Sequence, residues 1–293
     1  MWVAFAILST LSLGFYDVFK KLALDRNNVF VVLLLNTLFC TLFVSPVLVW
    51  GISGGSFIHS DLQDHLHMFL KSCIVTTSWL LGYYAIKHLP LTVQSSINAL
   101  RPVLVLVGAL IIFSERPNLL QWCGIALGFV SLLWIGFIGS REGFSLKNSR
   151  WLWFGLLSVL LWAVSGLYDK WLMNSGFHPL EVEAWYSFYQ FLIMLVLLAV
   201  VGRWFTRRSS DRFQWRWSIL LISVFIAVAD TSYFYALQQP EALVSVASMI
   251  RRGSALVAFF YGVFMFKEKN VRLKIVDQCV LILGVLLMIL GSI

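Results

Sequence analysis

The sequence predicts an all-α polytopic membrane protein, with ten transmembrane helices arranged as two inverted five-helix repeats. Three observations carry this. The 293 residues are 60% hydrophobic and only 12% charged, with a mean hydropathy of +0.85, whereas soluble domains carry roughly 25% charged residues. The apolar residues fall into ten runs near the ~20 residues that a helix needs to cross a bilayer. Matching polar residues also recur half a chain apart, foremost Arg101 and Arg251, 150 positions from each other inside long apolar stretches.

The spans follow in order. Trp2–Lys20 has no basic flank before it and runs on into the body of the protein, so it reads as a span and not as a cleavable signal. Val29–Trp50 is the second. The polar connection Gly51–His67 then holds His59, Asp61, Asp64, His65 and His67, which are metal-capable residues without a ligand spacing. Met68–Ile86 and Leu91–Phe113 are spans three and four. Pro102 removes a backbone hydrogen bond and predicts a kink in span four. Leu119–Ile138 carries Gly124 and Gly128, a small-residue pair that lets helices approach closely and reads as internal packing.

A short polar link closing at Arg150 marks the half boundary, giving repeats over 1–147 and 148–293. The second repeat reads Trp151–Trp171, Val182–Val201, Trp217–Leu237, Ala242–Phe266 and Leu273–Ser292, with the five-arginine connection Gly202–Arg216 in between. The four cysteines all lie in apolar runs and read as structural thiols. The net charge of +8 sits mostly in short loops, so it speaks of topology and not of nucleic acid.

The halves align by eye. Gly14-Phe15-Tyr16-Asp17 matches Gly166-Leu167-Tyr168-Asp169. Tyr83, Pro90, Ser95 and Arg101 match Tyr233, Pro240, Ser245 and Arg251. Glu115 corresponds to Glu268 after a three-residue shift. Five spans per half, an odd number, force the second copy upside down about an axis in the membrane plane.

The order Tyr84-Ala85, Leu89-Pro90, Pro102, Glu115-Arg116, echoed by Tyr235-Ala236, Gln239-Pro240, Glu268-Lys269, resembles the drug/metabolite transporter superfamily, of the EamA-like kind. The resemblance covers the whole chain and implies transport. The second copy departs from it, with Arg252 in place of Pro102. Arg101, Arg251 and Arg252 are locally similar to the phosphate-binding set of the triose-phosphate and nucleotide-sugar branch.

Pro90 and Pro240 suit first helical turns. Arg101 and Arg251 follow each by 11 residues, about 16 Å into the membrane and near the midplane where inverted-repeat transporters bind solutes. A charge at that depth costs at least ~2.5–3.5 kcal/mol, so it faces a watery cavity or a partner. Guanidinium groups grip phosphate or carboxylate with paired N–H donors. The alternative is that each arginine locks helices through a buried carboxylate, with Glu183, Asp230 and Asp277 as candidates. Arg252, about 100° round the helix, points elsewhere than Arg251.

The expected substrate-binding set is Arg101, Arg251, Arg252, Ser95, Ser245, Ser248, Tyr83, Tyr233, Trp185 and Tyr189, since Tyr and Trp offer an apolar body with a polar tip. Asp17, Lys21, Asp169, Lys170, Glu183 and Asp230 are the gating or coupling candidates, with helix-end lysines that snorkel as the alternative for the basic members.

The reading is a secondary transporter of a small, possibly phosphorylated, organic anion, working by alternating access. A site of arginine alone favours exchange, because arginine keeps its charge at every working pH. The alternative solutes are amino acids or amphiphilic metabolites, with the arginines in structural pairs. A lipid-head-group flippase or an intramembrane enzyme is weaker, because no nucleophile or metal cluster lies at depth. No nucleotide-binding or hydrolase motif is present, and the reading includes no catalytic residue, cofactor or metal. The expected partners are the solute and the bilayer, with no nucleic acid, and the chain is a monomer or homodimer.

The expected location is a cell membrane, of the bacterial inner-membrane kind. The resemblance implies cytoplasmic termini, but the charges say the opposite. Loops one, three, five, seven and nine hold 16 Lys and Arg, against Lys71, Arg116 and Lys170 on the terminal side. Positive loops mark the cytoplasmic face, so both termini are expected outside.

Overall fold

The computed structural model describes residues 1–25, 27–52, 61–88, 97, 100–140, 150–208, 213–254, 256, 257, 261 and 271–292. Among them are ten helices: α1 (Trp2–Leu24), α2 (Val29–Ile52), α3 (Leu62–His88), α4 (Arg101–Ile112), α5 (Leu119–Ser140), α6 (Arg150–Asn174), α7 (Pro179–Arg208), α8 (Ser218–Gln238), α9 (Val244–Arg252) and α10 (Val271–Leu290). By length and composition α1, α2, α6, α7 and α8 suffice to cross a membrane.

Local signals set several helix starts. The Asn28 Oδ1 accepts from the Phe30 and Val31 amides at 3.1 and 3.4 Å, satisfying donors that α2 leaves open. Asn118 and Gln121 form a reciprocal pair at α5, with Gln121 N donating to Asn118 Oδ1 and Asn118 N to Gln121 Oε1. Pro179 opens α7, where its missing N–H costs nothing. After α6 the chain reverses through Gly176 at φ 90°, a backbone setting that suits a residue without a Cβ.

Three boundaries differ from those expected. α3 begins at Leu62, inside the anticipated loop, so His65 and His67 are helical. Asp64 sits in its first turn, where a carboxylate favours the positive helix end. α7 runs on to Arg208, taking in residues 202–208 of the arginine-rich connection, because hydropathy ends at the membrane surface while Arg, Trp and Phe remain compatible with helix. The described helix α4 starts at Arg101 with Pro102 in its first turn. A proline there costs no hydrogen bond, and apart from Ile97 and Leu100 the residues of span four that precede it, where the expected kink would be read, lie outside the described ones. Pro90, Ser95 and Glu268 lie outside the described residues.

The packing is two-fold. α1 lies on α8 as α6 lies on α3. α4 lies on α6 as α9 lies on α1, and α2 on α8 as α7 on α3. α2 pairs with α7, α5 with α10 and α4 with α9. Exchanging the first five helices for the second five returns the same pairs, as an inverted repeat requires. Hydroxyls tie the crossings: Ser9 Oγ donates to Ala229 O at 2.7 Å, Ser72 Oγ to Tyr186 O at 3.0 Å, and Ser78 and Ser158 each donate to the other's carbonyl at 2.8 and 2.7 Å.

The α5–α10 crossing depends on glycine. A Cβ on Gly124 would meet Gly284 O at 2.6 Å, and one on Gly284 would meet Gly124 O at 2.9 Å. Backbone cannot yield as a flexible side chain does. Gly284→Val is therefore expected to destabilise the protein by about 1–3 kcal/mol or more, read as a lower melting temperature in detergent. Gly166→Ala is the control, since the nearest atom to its added Cβ is 3.9 Å away. Equal melting of the two variants would refute the close crossing.

Candidate functional site

Arg101 and Arg251 come together around Trp162, a residue halfway along α6. The Arg101 Cζ lies 4.5 Å from the Trp162 ring centroid, and the Arg251 Cζ 5.9 Å from it. Arg251 also lies 4.2 Å from the Tyr233 ring on α8. Aromatic faces attract guanidinium groups electrostatically, most when water is scarce. Three helices, α4, α6 and α9, thus converge on one cationic spot. The Nε atoms of both arginines are buried without a hydrogen-bond partner.

Carboxylates surround this spot. Arg251 Nη2 pairs with Asp230 Oδ1 at 2.8 Å, a bond between α9 and α8. Asp17 on α1 is within electrostatic reach of Lys20, Arg101 and Arg251. Asp17 is nonetheless exposed. Asp17 thus lies at the edge of the packed interior, whereas Arg251 beside it is buried.

A second polar centre lies at α3, α6 and α7. Lys71 Nζ pairs with Asp169, both nearly sealed from solvent. The ammonium also sits 4.6 Å from the Tyr186 ring and 4.8 Å from Phe234. Glu183 is buried beside this pair and within the field of Asp230.

Other expected site residues go elsewhere. Ser245 is fully buried, and its Oγ donates to Glu115 Oε2 at 2.5 Å. The same carboxylate accepts from the Val244 amide at 2.5 Å and the Ser245 amide at 3.2 Å, so an acid of the first repeat caps α9 in the second. Ser248 Oγ donates to Ser245 O at 2.9 Å. Arg252 turns to a different neighbour, Asp277 on α10. Lys170 donates to Leu237 O at 3.0 Å and Gln239 O at 3.4 Å, a cation on the carbonyl end of α8.

Trp185 and Tyr189 gather round His65, not round the arginines. Tyr189 Oη lies 3.1 Å from His65 Nδ1, and the His65 ring is 4.4 Å from that of Trp185. His67 makes the matching arrangement with Tyr168, at 2.7 Å, and Trp171. Ser95 lies outside the described residues, and of the Tyr83 and Lys21 side chains nothing is described.

Sequence reasoning missed Trp162, Lys71 and the two histidine–tyrosine pairs. Trp162 carried a usable signal: a tryptophan 12 residues into a span is too deep for the interfacial belt. The charge count places Lys71 and Lys170 on the less basic face. Both are buried, at 2% and 5% exposure, so neither is a loop charge.

A family model described as the EamA-like transporter family matches residues 1–137 and again 149–290. No curated protein matches significantly. Among solved structures, one crystal structure aligns over 99% of this chain and 97% of its own, at a TM-score of 0.75 and 10% identity, a likeness of fold alone.

Proposed function

The chain belongs to the EamA-like transporter family, and we propose that it is a secondary transporter of a small organic anion, held between Arg101 and Arg251 over Trp162. The observation that carries this reading is the pair of guanidinium groups sharing one ring, with the exposed Asp17 in their field. Anions gain most from a site that offers two planar forks with unfilled N–H donors. The two-fold packing supports alternating access, in which rocking one repeat against the other would expose the midplane to each face in turn.

The Arg251–Asp230 bond supports a second reading, a zwitterionic solute such as an amino acid. Its carboxylate would take Arg101, and its ammonium Asp17 or Asp230. A thermal-shift screen of phosphorylated against unphosphorylated metabolites separates the two. Inorganic phosphate is expected to compete with the solute on the first reading and not on the second. Arg101→Lys keeps the charge and loses the fork, so uptake into proteoliposomes is expected to fall about tenfold or more, roughly 1.4 kcal/mol, with melting unchanged. Normal transport by that variant would end the bidentate reading.

Orientation belongs to the same proposal. With Lys71 and Lys170 buried, Arg116 is the remaining Lys or Arg assigned to the terminal side, and the basic loops dominate the other face. Both termini are expected outside and the Gly202–Arg216 segment in the cytoplasm. A C-terminal alkaline phosphatase fusion is expected to be active. A silent phosphatase fusion beside a glowing green fluorescent protein fusion would reverse the assignment.

A further inference from the structure

Glu183 is a carboxylate of the interior that forms no ion pair among the described residues. It is 2% exposed. Its Oε1 accepts from Ser187 Oγ at 3.3 Å, and its Oε2 is buried without a hydrogen-bond partner. The titratable and charged groups that face it are Cys40 on α2, Lys71 on α3, Asp169 on α6, Tyr186 on α7 and Asp230 on α8. Lys71 is taken by Asp169 and Asp230 by Arg251. Among the described residues, Glu183 is therefore the third carboxylate in a cluster with two cations, each already matched. A buried carboxylate with no free counter-charge and a single hydroxyl donor is costly when ionised and neutralises by taking a proton. A protonated Glu183 leaves the cluster balanced.

The same geometry makes the proton matter to the site. Glu183 lies in the field of Asp230, whose partner Arg251 borders the solute space. An anion on Arg251 competes with Asp230 and adds negative charge there. A proton on Glu183 removes one negative charge from the same neighbourhood. Two ligands that each relieve the other's electrostatic cost bind together, and the coupling is reciprocal.

We propose that Glu183 is the proton-binding group of this transporter, protonated in the state seen here, and that its proton and the anion at Arg251 are carried together. The second half rests on the anion reading above. The step is a simple ionisation: the carboxylic acid takes its proton from water on one face and returns it to water on the other. It leaves as a carboxylate only when rearrangement brings Lys71 or another cation to it. Arginine alone favours exchange. The acid beside the arginines adds a route for proton coupling.

The test is infrared difference spectroscopy of the full chain in lipid, titrated from acid to alkaline, with sulfate as the anion probe because its charge stays constant over that range. A protonated carboxylic acid has its own carbonyl stretch, distinct from the carboxylate bands. The band is expected to persist at neutral pH, to vanish in Glu183→Gln and to move in frequency in Glu183→Asp. Saturating sulfate is expected to shift its titration midpoint to higher pH, by about one unit for a tenfold coupling. A missing band at neutral pH, or the same band in both variants, overturns the proposal. So does an unmoved midpoint when sulfate raises the melting temperature. If Glu183→Gln does not fold, the frequency shift in Glu183→Asp decides. Sulfate that leaves the melting temperature unchanged counts against the anion reading instead, and the Glu183 band alone then decides the proton site.

Discussion

Replacing Arg251 with methionine is expected to destabilise the protein by roughly 3–5 kcal/mol, the range seen when one member of a buried ion pair is removed. The guanidinium is 6% exposed and its Asp230 partner 17% at the side chain. Without Arg251, Asp230 is left with no counter-charge at 2.8 Å, and the Tyr233 face loses its cation. The reading is the unfolding midpoint in detergent. Adding Asp230→Asn removes the stranded charge, so the double variant is expected to regain most of the stability. On the anion reading transport is expected to stay lost in both, because that reading needs the Arg251 cation. A single variant as stable as the parent would mean that the pair contributes nothing. A double variant that transports would mean that Arg251 is a helix lock and not a ligand.

Lys71→Met is expected to be as costly to folding, again roughly 3–5 kcal/mol. The ammonium is 3% exposed, bound to Asp169 and seated between the rings of Tyr186 and Phe234. Methionine fills much of the same volume, so the loss measures charge more than packing. The pair joins α3 of the first repeat to α6 of the second, and its failure loosens the contact between halves. Asp169→Asn placed on top of Lys71→Met is expected to restore stability in a double-mutant cycle. Additive losses from the two substitutions would show that the residues do not act as a pair.

Much of the architecture was legible. Hydropathy placed ten spans, and five per half with recurring Tyr, Pro, Ser and Arg forced inversion. The Gly124–Gly128 pair was read as internal packing, and Gly284 of α10 is what it meets. The helix starts at Asn28 and Asn118 are local chemistry, written in a few adjacent residues. Arg101 and Arg251 were legible as candidates because a charge in an apolar run is conspicuous.

Much of the site was not. Ser245 repeats Ser95 by position, which suggested a solute contact, yet its hydroxyl is engaged by Glu115, 130 residues earlier. Lys71 lies near a predicted span end and resembled a loop charge, yet its partner is 98 residues away. The sequence by itself determined the membrane class, the number of spans and their inverted duplication, because lipid demands long apolar helices and leaves their count in the composition. The tertiary structure decided which helix faces meet and which charges pair. Helices bounded by lipid on one side and protein on the other are apolar all round, so no periodicity marks the inward face. Trp162 between two arginines, and Glu183 beside two ion pairs that leave it no counter-charge, exist only once the two repeats are packed together.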